Sequence, residues 1–165
     1  MPATYDKISS TTISGTSTNS VTFSSITGAY TDLVLIVNAG ATATGCGMTY
    51  RLNGDTSSLY SVTGLRGNGS AASSFRQTGN DQIIISNFSE PPTTGGGVYI
   101  INFQNYSNTT TFKTSISRGN SAGFGVDAFA GLYRSTSAIT SMTILISGGN
   151  FNSGSTFNLY GIKAA

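Results

Sequence analysis

The sequence predicts an all-β chain folded as a two-sheet antiparallel jelly-roll β-sandwich. Three observations carry that expectation. Apolar and polar residues alternate with period two along most of the chain, turn chemistries separate the alternating stretches, and no window of eleven or more residues keeps a 3.6-residue period. A chain of 165 residues is one domain's worth, and at that size roughly 70% of the unfolded surface is buried on folding, enough for a core.

Residues 21–25 open the strand series. Leu33, Leu35 and Val37 then alternate with Val34, Ile36 and Asn38, and further strands are expected over 48–52, 59–65, 81–87 and 98–106. Phe112, Thr114 and Ile116 alternate with Lys113, Ser115 and Ser117; residues 124–133 follow. Met142, Ile144 and Ile146 alternate with Thr143, Leu145 and Ser147, and 156–163 close the series. Between them stand "NG", "GNG", "PPTTGGG", "SNTT" and "GGNFNSG", which suit turns rather than helix caps. About nine or ten short strands without helices point to the jelly roll at this length. The expected core is Leu33, Leu35, Val37, Phe112, Ile116, Met142, Ile144, Ile146, Phe157 and Leu159.

The first stretch, 1–20, has apolar residues too sparse to close a sheet face. It is expected to be an arm reaching a neighbour or an edge segment, ahead of a single jelly-roll domain over 21–165. As an arm, it would seat Tyr5 and Ile8 in a partner's groove by strand addition. An internal echo runs through the domain. "AYTDLVLIVNAG" from Ala29 and "AITSMTILISGG" from Ala138 match in the placing of Ala, Thr, apolar run and Gly, and "GCGMTY" and "GSTFNL" follow at the same offset.

Composition excludes several functions. Charged residues are 8% of the chain against about a quarter in an average soluble domain, while Ser, Thr, Asn and 21 Gly fill the polar positions. The net charge is +2 and Lys7, Arg51, Arg66, Arg76, Lys113, Arg118, Arg134 and Lys163 are scattered, so no nucleic-acid partner is expected. So weak a charge suits a protein that lives inside an assembly, and equally a plain low-charge β-sandwich. Without histidine, Ser-His-Asp and Cys-His arrangements and His-ligated metals are impossible, and the lone Cys46 excludes a multi-cysteine zinc site and an internal disulfide. Asp6, Asp32, Asp55, Asp81, Glu90 and Asp127 are the whole carboxylate supply, each beside a turn or strand end, where Asp is turn chemistry. No enzyme activity, cofactor or metal is expected. Asp55 and Asp127 are the better placed of the six for calcium, but the spacing of a calcium loop is absent. No stretch approaches a membrane span, and the start lacks the apolar core of a signal peptide, so synthesis is expected to end in a cytosol. The N-x-S/T triplets at Asn68, Asn87, Asn105 and Asn108 are accordingly read as unmodified.

Local motifs read as turns before sites. Asn53-Gly54, in "TYRLNGDTSSLYS", is a hairpin signal for a type I′ turn, with Arg51 and Asp55 placed to bridge across it. "LRGNGS" around Arg66 and "SRGNSAG" around Arg118 are read as Gly-Asn loop tips rather than anion cradles. Aromatics among Asn, Ser and Thr suit a protein interface or a glycan shelf. The candidates are Tyr60, Phe75, Tyr99, Tyr106, Phe124 and Phe129, most of them expected to be core; with Tyr5 and Ile8, the interface set is Tyr5, Ile8, Tyr60, Phe75, Phe124 and Phe129.

"YTDLVLIVNAG", "YRLNGDTSSLYS" and "GLYRSTSAITSMTILISGGNFNSGSTFNLYGIKAA" together resemble a family of small virion structural proteins of tailed bacteriophages, including phages of marine bacteria and cyanobacteria. The family pattern runs Y-T-D-L, R-x-N-G-D with S-x-Y-S, then W-R-S-T-x-A-I with G-N-F-x-x-G-S, and closes on L-Y-G-I-K-A. Tyr133 stands here where Trp is usual, and the match extends from Tyr30 onward, weakest between Arg66 and Gly97. The resemblance implies a jelly-roll subunit of a phage particle: a homotrimeric capsid decoration or cement protein that binds and stabilises the major capsid shell. Its alternative is a tail-associated fibre or receptor-binding module that presents loop tips to a host glycan.

Overall fold

The computed structural model of the chain describes residues 4–86 and 89–163. Asn87, expected to end a strand and to open an N-x-S triplet, lies outside the described residues, as do the first three residues of the expected arm. The strands, in chain order, are β1 (Tyr5–Thr12), β2 (Ser20–Phe23), β3 (Asp32–Ala39), β4 (Gly47–Leu52), β5 (Tyr60–Gly67), β6 (Ala72–Asn80), β7 (Ile83–Ile84), β8 (Gly97–Gln104), β9 (Lys113–Ser121), β10 (Gly125–Tyr133), β11 (Met142–Ser147) and β12 (Thr156–Ile162). They form two antiparallel sheets, an eight-stranded one ordered β1-β12-β3-β8-β9-β10-β5-β6 and a four-stranded one ordered β2-β11-β4-β7. The fold is a β-sandwich with unequal layers. The four-stranded sheet lies against one face of the large one, so much of the opposite, outer face is bare.

The core between the sheets is apolar and aromatic. Leu33, Leu35 and Val37 of β3, Tyr99, Ile101 and Phe103 of β8, and Phe157 and Leu159 of β12 meet Met48, Tyr50 and Leu52 of β4 and Met142, Ile144 and Ile146 of β11, all buried. Alternation put these residues inward because successive side chains of a strand point to opposite faces.

On β9 the alternation is reversed. Phe112 and Ile116, expected in the core, are exposed, whereas Lys113, Ser115 and Ser117 face inward and are buried. The cause is the volume of the neighbouring rings. Ser115 is hydrogen-bonded to Tyr50 Oη at 2.6 Å, and a Cβ on its cross-strand partner Gly131 would come within 2.5 Å of Ser115 Oγ and 3.1 Å of that same Oη. Rings from β4, β8 and β10 already fill the space behind the middle of β9, so the inward positions there are the small residues Ser115, Ser117 and Gly119. Lys113, at the start of the strand, is the exception in size: its stem is buried and its ammonium donates to the carbonyls of Thr111 at 2.7 Å and Thr136 at 3.0 Å. Burial holds its pKa below the usual lysine value.

Other local expectations change too. β6 is a strand that no expectation covers; it is polar and mostly exposed, with Phe75 partly buried on its inner side and no alternation to announce it. Of the strand expected over 81–87 only Ile83–Ile84 forms one. Asn53 and Gly54 do take positive φ, 54° and 66°, and Asp55 N donates to Leu52 O at 3.0 Å. The turn closes no hairpin, however, because β4 lies in the small sheet and β5 in the large one. Asn53 instead ties the crossing to residues 138–141, donating to Ala138 O at 2.9 Å and accepting from Thr140 N at 2.8 Å. Arg51 pairs with Asp81 rather than with Asp55. In "SRGNSAG", Arg118, Gly119 and Asn120 are strand, with the turn beginning beyond Ser121; the first motif does make a tip, where Asn68 Oδ1 accepts from Ser70 N and Ala71 N.

The internal echo has a structural counterpart. Its first copy supplies β3 and β4, its second β11 and β12, and β3 pairs with β12 while β4 pairs with β11. The two intervening loops also meet, through an Ala41–Phe151 bridge and the bonds from Thr42 N to Asn150 O and from Asn152 N to Gly40 O, each 2.9 Å. This is the arrangement a local two-fold produces. β1 lies outside it, along the free edge of β12, with a bulge at Ile8, whose side chain packs against the chain's own core.

Candidate functional site

The bare outer face of the large sheet gathers the unusual surface of the molecule. Strand register places Leu65 beside Ala128, Ala128 beside Arg118, Arg118 beside Ile100 and Ile100 beside Ile36, in one row across five strands. The row on one side reads Gly67, Val126, Asn120, Val98; on the other it reads Thr63, Ala130, Ile116, Asn102. Leu65, Ile116 and Val126 are 66%, 60% and 56% exposed. Isolated exposed apolar residues are ordinary, but a contiguous set on one face marks a contact surface.

The face is hollow. The sheet curls between β8 and β6, and a depression of about 720 Å³ is lined by Leu65, Val98, Ile100, Arg118, Val126 and Ala128. A second of about 450 Å³ continues along the strands, lined by Thr63, Arg76, Ile116, Ala130 and Leu132. Together they make a trough parallel to β9 and β10. Its size and mostly apolar lining, with a few polar groups, are those of binding sites.

Asp127 and Arg66 also border the larger hollow, but both alternate to the inner side of their strands, with Asp127 buried and held by Ser89; the outward side chains carry charge of one sign. Over β8, β9, β10, β5 and β6 the outward positions hold Arg118 and Arg76 and no carboxylate. Neither arginine has a hydrogen-bond or ion-pair partner among the described residues, and Lys7, outward on β1, has none either. All six side-chain carboxylates are engaged by their own chain. Asp6 pairs with Lys163 at 2.6 Å, Asp81 pairs with Arg51, Asp32 accepts from Asn105 N at 2.7 Å, and Glu90 accepts from Gly45 N at 3.1 Å. Asp127 accepts from Ser89 N at 2.8 Å and Ser89 Oγ at 2.7 Å, while Asp55 accepts from Ser57 and from Tyr133.

These contacts bear on the calcium expectation, since Asp55 and Asp127, its better candidates, both fix loops. Among the described residues no three Asp, Glu or Cys side chains come together as a metal-binding group. Cys46 is buried. No helix among the described residues is long and apolar enough to cross a membrane.

The expected interface residues separate. Tyr60 and Phe129 are corrected to core: Tyr60 is buried, stacked on Tyr133 at 4.6 Å with its hydroxyl on Leu52 and Asp55 backbone, and Phe129 is buried edge-on to Phe75 at 5.7 Å. Tyr99 and Tyr106 are buried as well. Phe75 is partly buried, lies on the inner side of β6 and carries Arg66 over its ring at 5.1 Å. Tyr5 is exposed on β1 with its ring edge-on to Tyr160, Phe124 is exposed at the β9–β10 turn, and Ile8 packs on its own core. None of these six lines the trough. Of its residues, Ile116 is expected in the core and Arg118 in a loop tip, and Leu65, Ile100 and Val126 carry no site expectation, because alternation alone does not say which face of a strand is covered; the signal that finds them is β9, where from Thr114 onward one alternate set is Ser and Gly and the other holds Ile and Arg. No protein-family model and no curated protein sequence matches this chain.

Proposed function

We propose that this chain is a non-enzymatic structural subunit of a tailed-bacteriophage particle, a capsid decoration or cement protein that binds the major capsid shell through the outer face of its large sheet. The observation that carries the reading is the apolar trough, solvent-exposed in the free chain and suited to burial against a protein neighbour. The commitment of every carboxylate to a loop or ion pair supports the non-enzymatic reading, because a catalytic acid or base must reach a substrate proton.

Jelly-roll connectivity is part of the proposal. It is supported by nested pairing: β5 with β6, β4 with β7 and β3 with β8, then again β5 with β10, β4 with β11 and β3 with β12. So is the homotrimer that the resemblance implies. With its carboxylates engaged internally, trimer contacts would be apolar and hydroxyl-rich rather than ionic. The virion would be its site of action, after synthesis in the host cytoplasm.

Copy number in purified particles tests the reading. Hundreds of copies per particle fit a shell protein. A few dozen or fewer would move the chain to the tail, as a fibre or receptor-binding module, and absence from the particle would end the proposal.

A further inference from the structure

From the trough's charge we infer its occupant: a segment of a different protein that carries a carboxylate between apolar side chains, seated along β9 and β10 with its acid on Arg118. This deepens, and rests on, the reading of the outer face as a docking surface. Arg118 lies mid-row, between Ala128 and Ile100, with Leu65 and Ile36 beyond them, and its guanidinium has no partner among the described residues. A guanidinium pairs with a carboxylate through two parallel hydrogen bonds, and an apolar surround strengthens the pair by excluding water. Arg76, outward beside Thr63, extends the positive side along the same trough.

A second copy of the chain is the poorer source of the acid. Face to face, two troughs would bring like charges together. In other packings, each of the six side-chain carboxylates of the second copy would have to share or leave the bonds it makes to its own Lys163, Arg51, Asn105, Gly45, Ser89, Ser57 and Tyr133, which disfavours it against a segment with an uncommitted acid. An anionic membrane offers charge but not shape, since a flat surface does not enter a hollow whose floor lies between β8 and β6. An extended or helical peptide segment does.

The test is selection of a random library of linear peptides against the full chain, followed by titration of the enriched peptides into wild type, Arg118→Glu and Leu65→Ser, each checked for native circular dichroism. Both residues are exposed, so both variants are expected to fold. The inference expects enriched peptides that share an Asp or Glu among apolar residues and weaken about tenfold or more on either substitution. Replacing the acid by lysine should restore binding to Arg118→Glu. Peptides without an acid, weakened by Leu65→Ser but indifferent to Arg118→Glu, would overturn the acidic occupant and leave the docking face standing. Dimers in sedimentation that Leu65→Ser breaks would name a second copy instead. Binding to phosphatidylglycerol vesicles that Arg118→Glu abolishes, with no peptide enriched, would name a membrane. If peptides, vesicles and self-association all fail to distinguish wild type from Leu65→Ser, the docking face falls together with the inference.

Discussion

The Tyr133 hydroxyl donates to Asp55 Oδ2 at 2.7 Å, joining the last residue of β10 to the crossing between the two sheets. The same ring stacks on Tyr60 at 4.6 Å and 12° between planes, so one side chain orders both the end of the large sheet and the loop that leaves the small one. Ser57 completes the arrangement, donating to Asp55 Oδ1 from its backbone N at 2.8 Å and from its hydroxyl. Together these donors hold the Asp55 carboxyl below the usual carboxylate range, the Ser57 hydroxyl most and Tyr133 next. Burial, reinforced by the bond to Asp55, pushes Tyr133 up to about 12.

Asp55→Asn and Tyr133→Phe should each cost about 1 kcal/mol, and less than the sum when combined, because they share a bond. The pH dependence has a definite sign. A carboxyl depressed by folding contributes stability that is fully present above its unfolded pKa, about 3.9, and is lost as pH falls through the lower folded value. The wild-type advantage over Asp55→Asn should therefore be constant near neutrality and shrink below about pH 4. Tyr133, raised by folding, predicts the opposite end: stability is lost as pH rises from about 10 toward the folded value of about 12, and Tyr133→Phe should blunt that loss. Urea unfolding across a pH series reads both.

The reversed face of β9 makes a comparison of two isoleucines decisive. Ile116→Ala should change stability by less than about 0.5 kcal/mol, whereas Ile144→Ala should cost about 2 to 5 kcal/mol, since the first is exposed and the second buried against both sheets. Equal losses measured by denaturant would put β9 the other way round.

Gly131 keeps the aromatic layer closed. A Cβ there would sit 2.5 Å from Ser115 Oγ, 2.9 Å from Ile83 Cδ1 and 3.1 Å from Tyr50 Oη, so Gly131→Ala should destabilise by about 1 to 3 kcal/mol. Ser115→Ala should lose about 1 to 3 kcal/mol by a different route, leaving the buried Tyr50 hydroxyl without its 2.6 Å partner. Thermal melts of the two variants, alone and together, separate crowding from the lost bond.

What the sequence made legible follows from what alternation measures. On β11 and β12 the alternate positions that read as apolar are the buried ones, so period and burial agree; on β3 the inward Leu33, Leu35 and Val37 are buried as their alternation reads, with Val34 buried on the other face as well. On β9 they disagree, because inward room depends on Tyr50, Tyr99 and Phe129 arriving from other strands, which no local pattern contains. β6 is invisible for a related reason: polar and mostly exposed, it has nothing to alternate. Asn53-Gly54 shows the limit of turn chemistry, which fixed the local φ values but not which strands the turn would join. The trough is hidden because it is assembled on the face away from the small sheet from five strands, β8, β9, β10, β5 and β6, whose order no local pattern contains.

The last prediction concerns the amino-terminal strand. β1 pairs along β12 from Tyr5 opposite Ile162 to Thr12 opposite Thr156. Just beyond it Ile13 is 5% exposed, with its N donating to Ser155 O at 2.8 Å and its carbonyl accepting from Gly154 N at 2.9 Å. A chain starting near Asn19 would lose Ile8 and Ile13 from the core and bare the edge of β12, an unpaired strand edge that invites aggregation. It should melt well below the full chain or fail to fold. Ile13→Ala, which leaves the strand in place, should cost about 2 to 4 kcal/mol. A truncated chain with native circular dichroism and an unchanged melting temperature would show instead that β1 is dispensable to the sandwich and free to serve a neighbour.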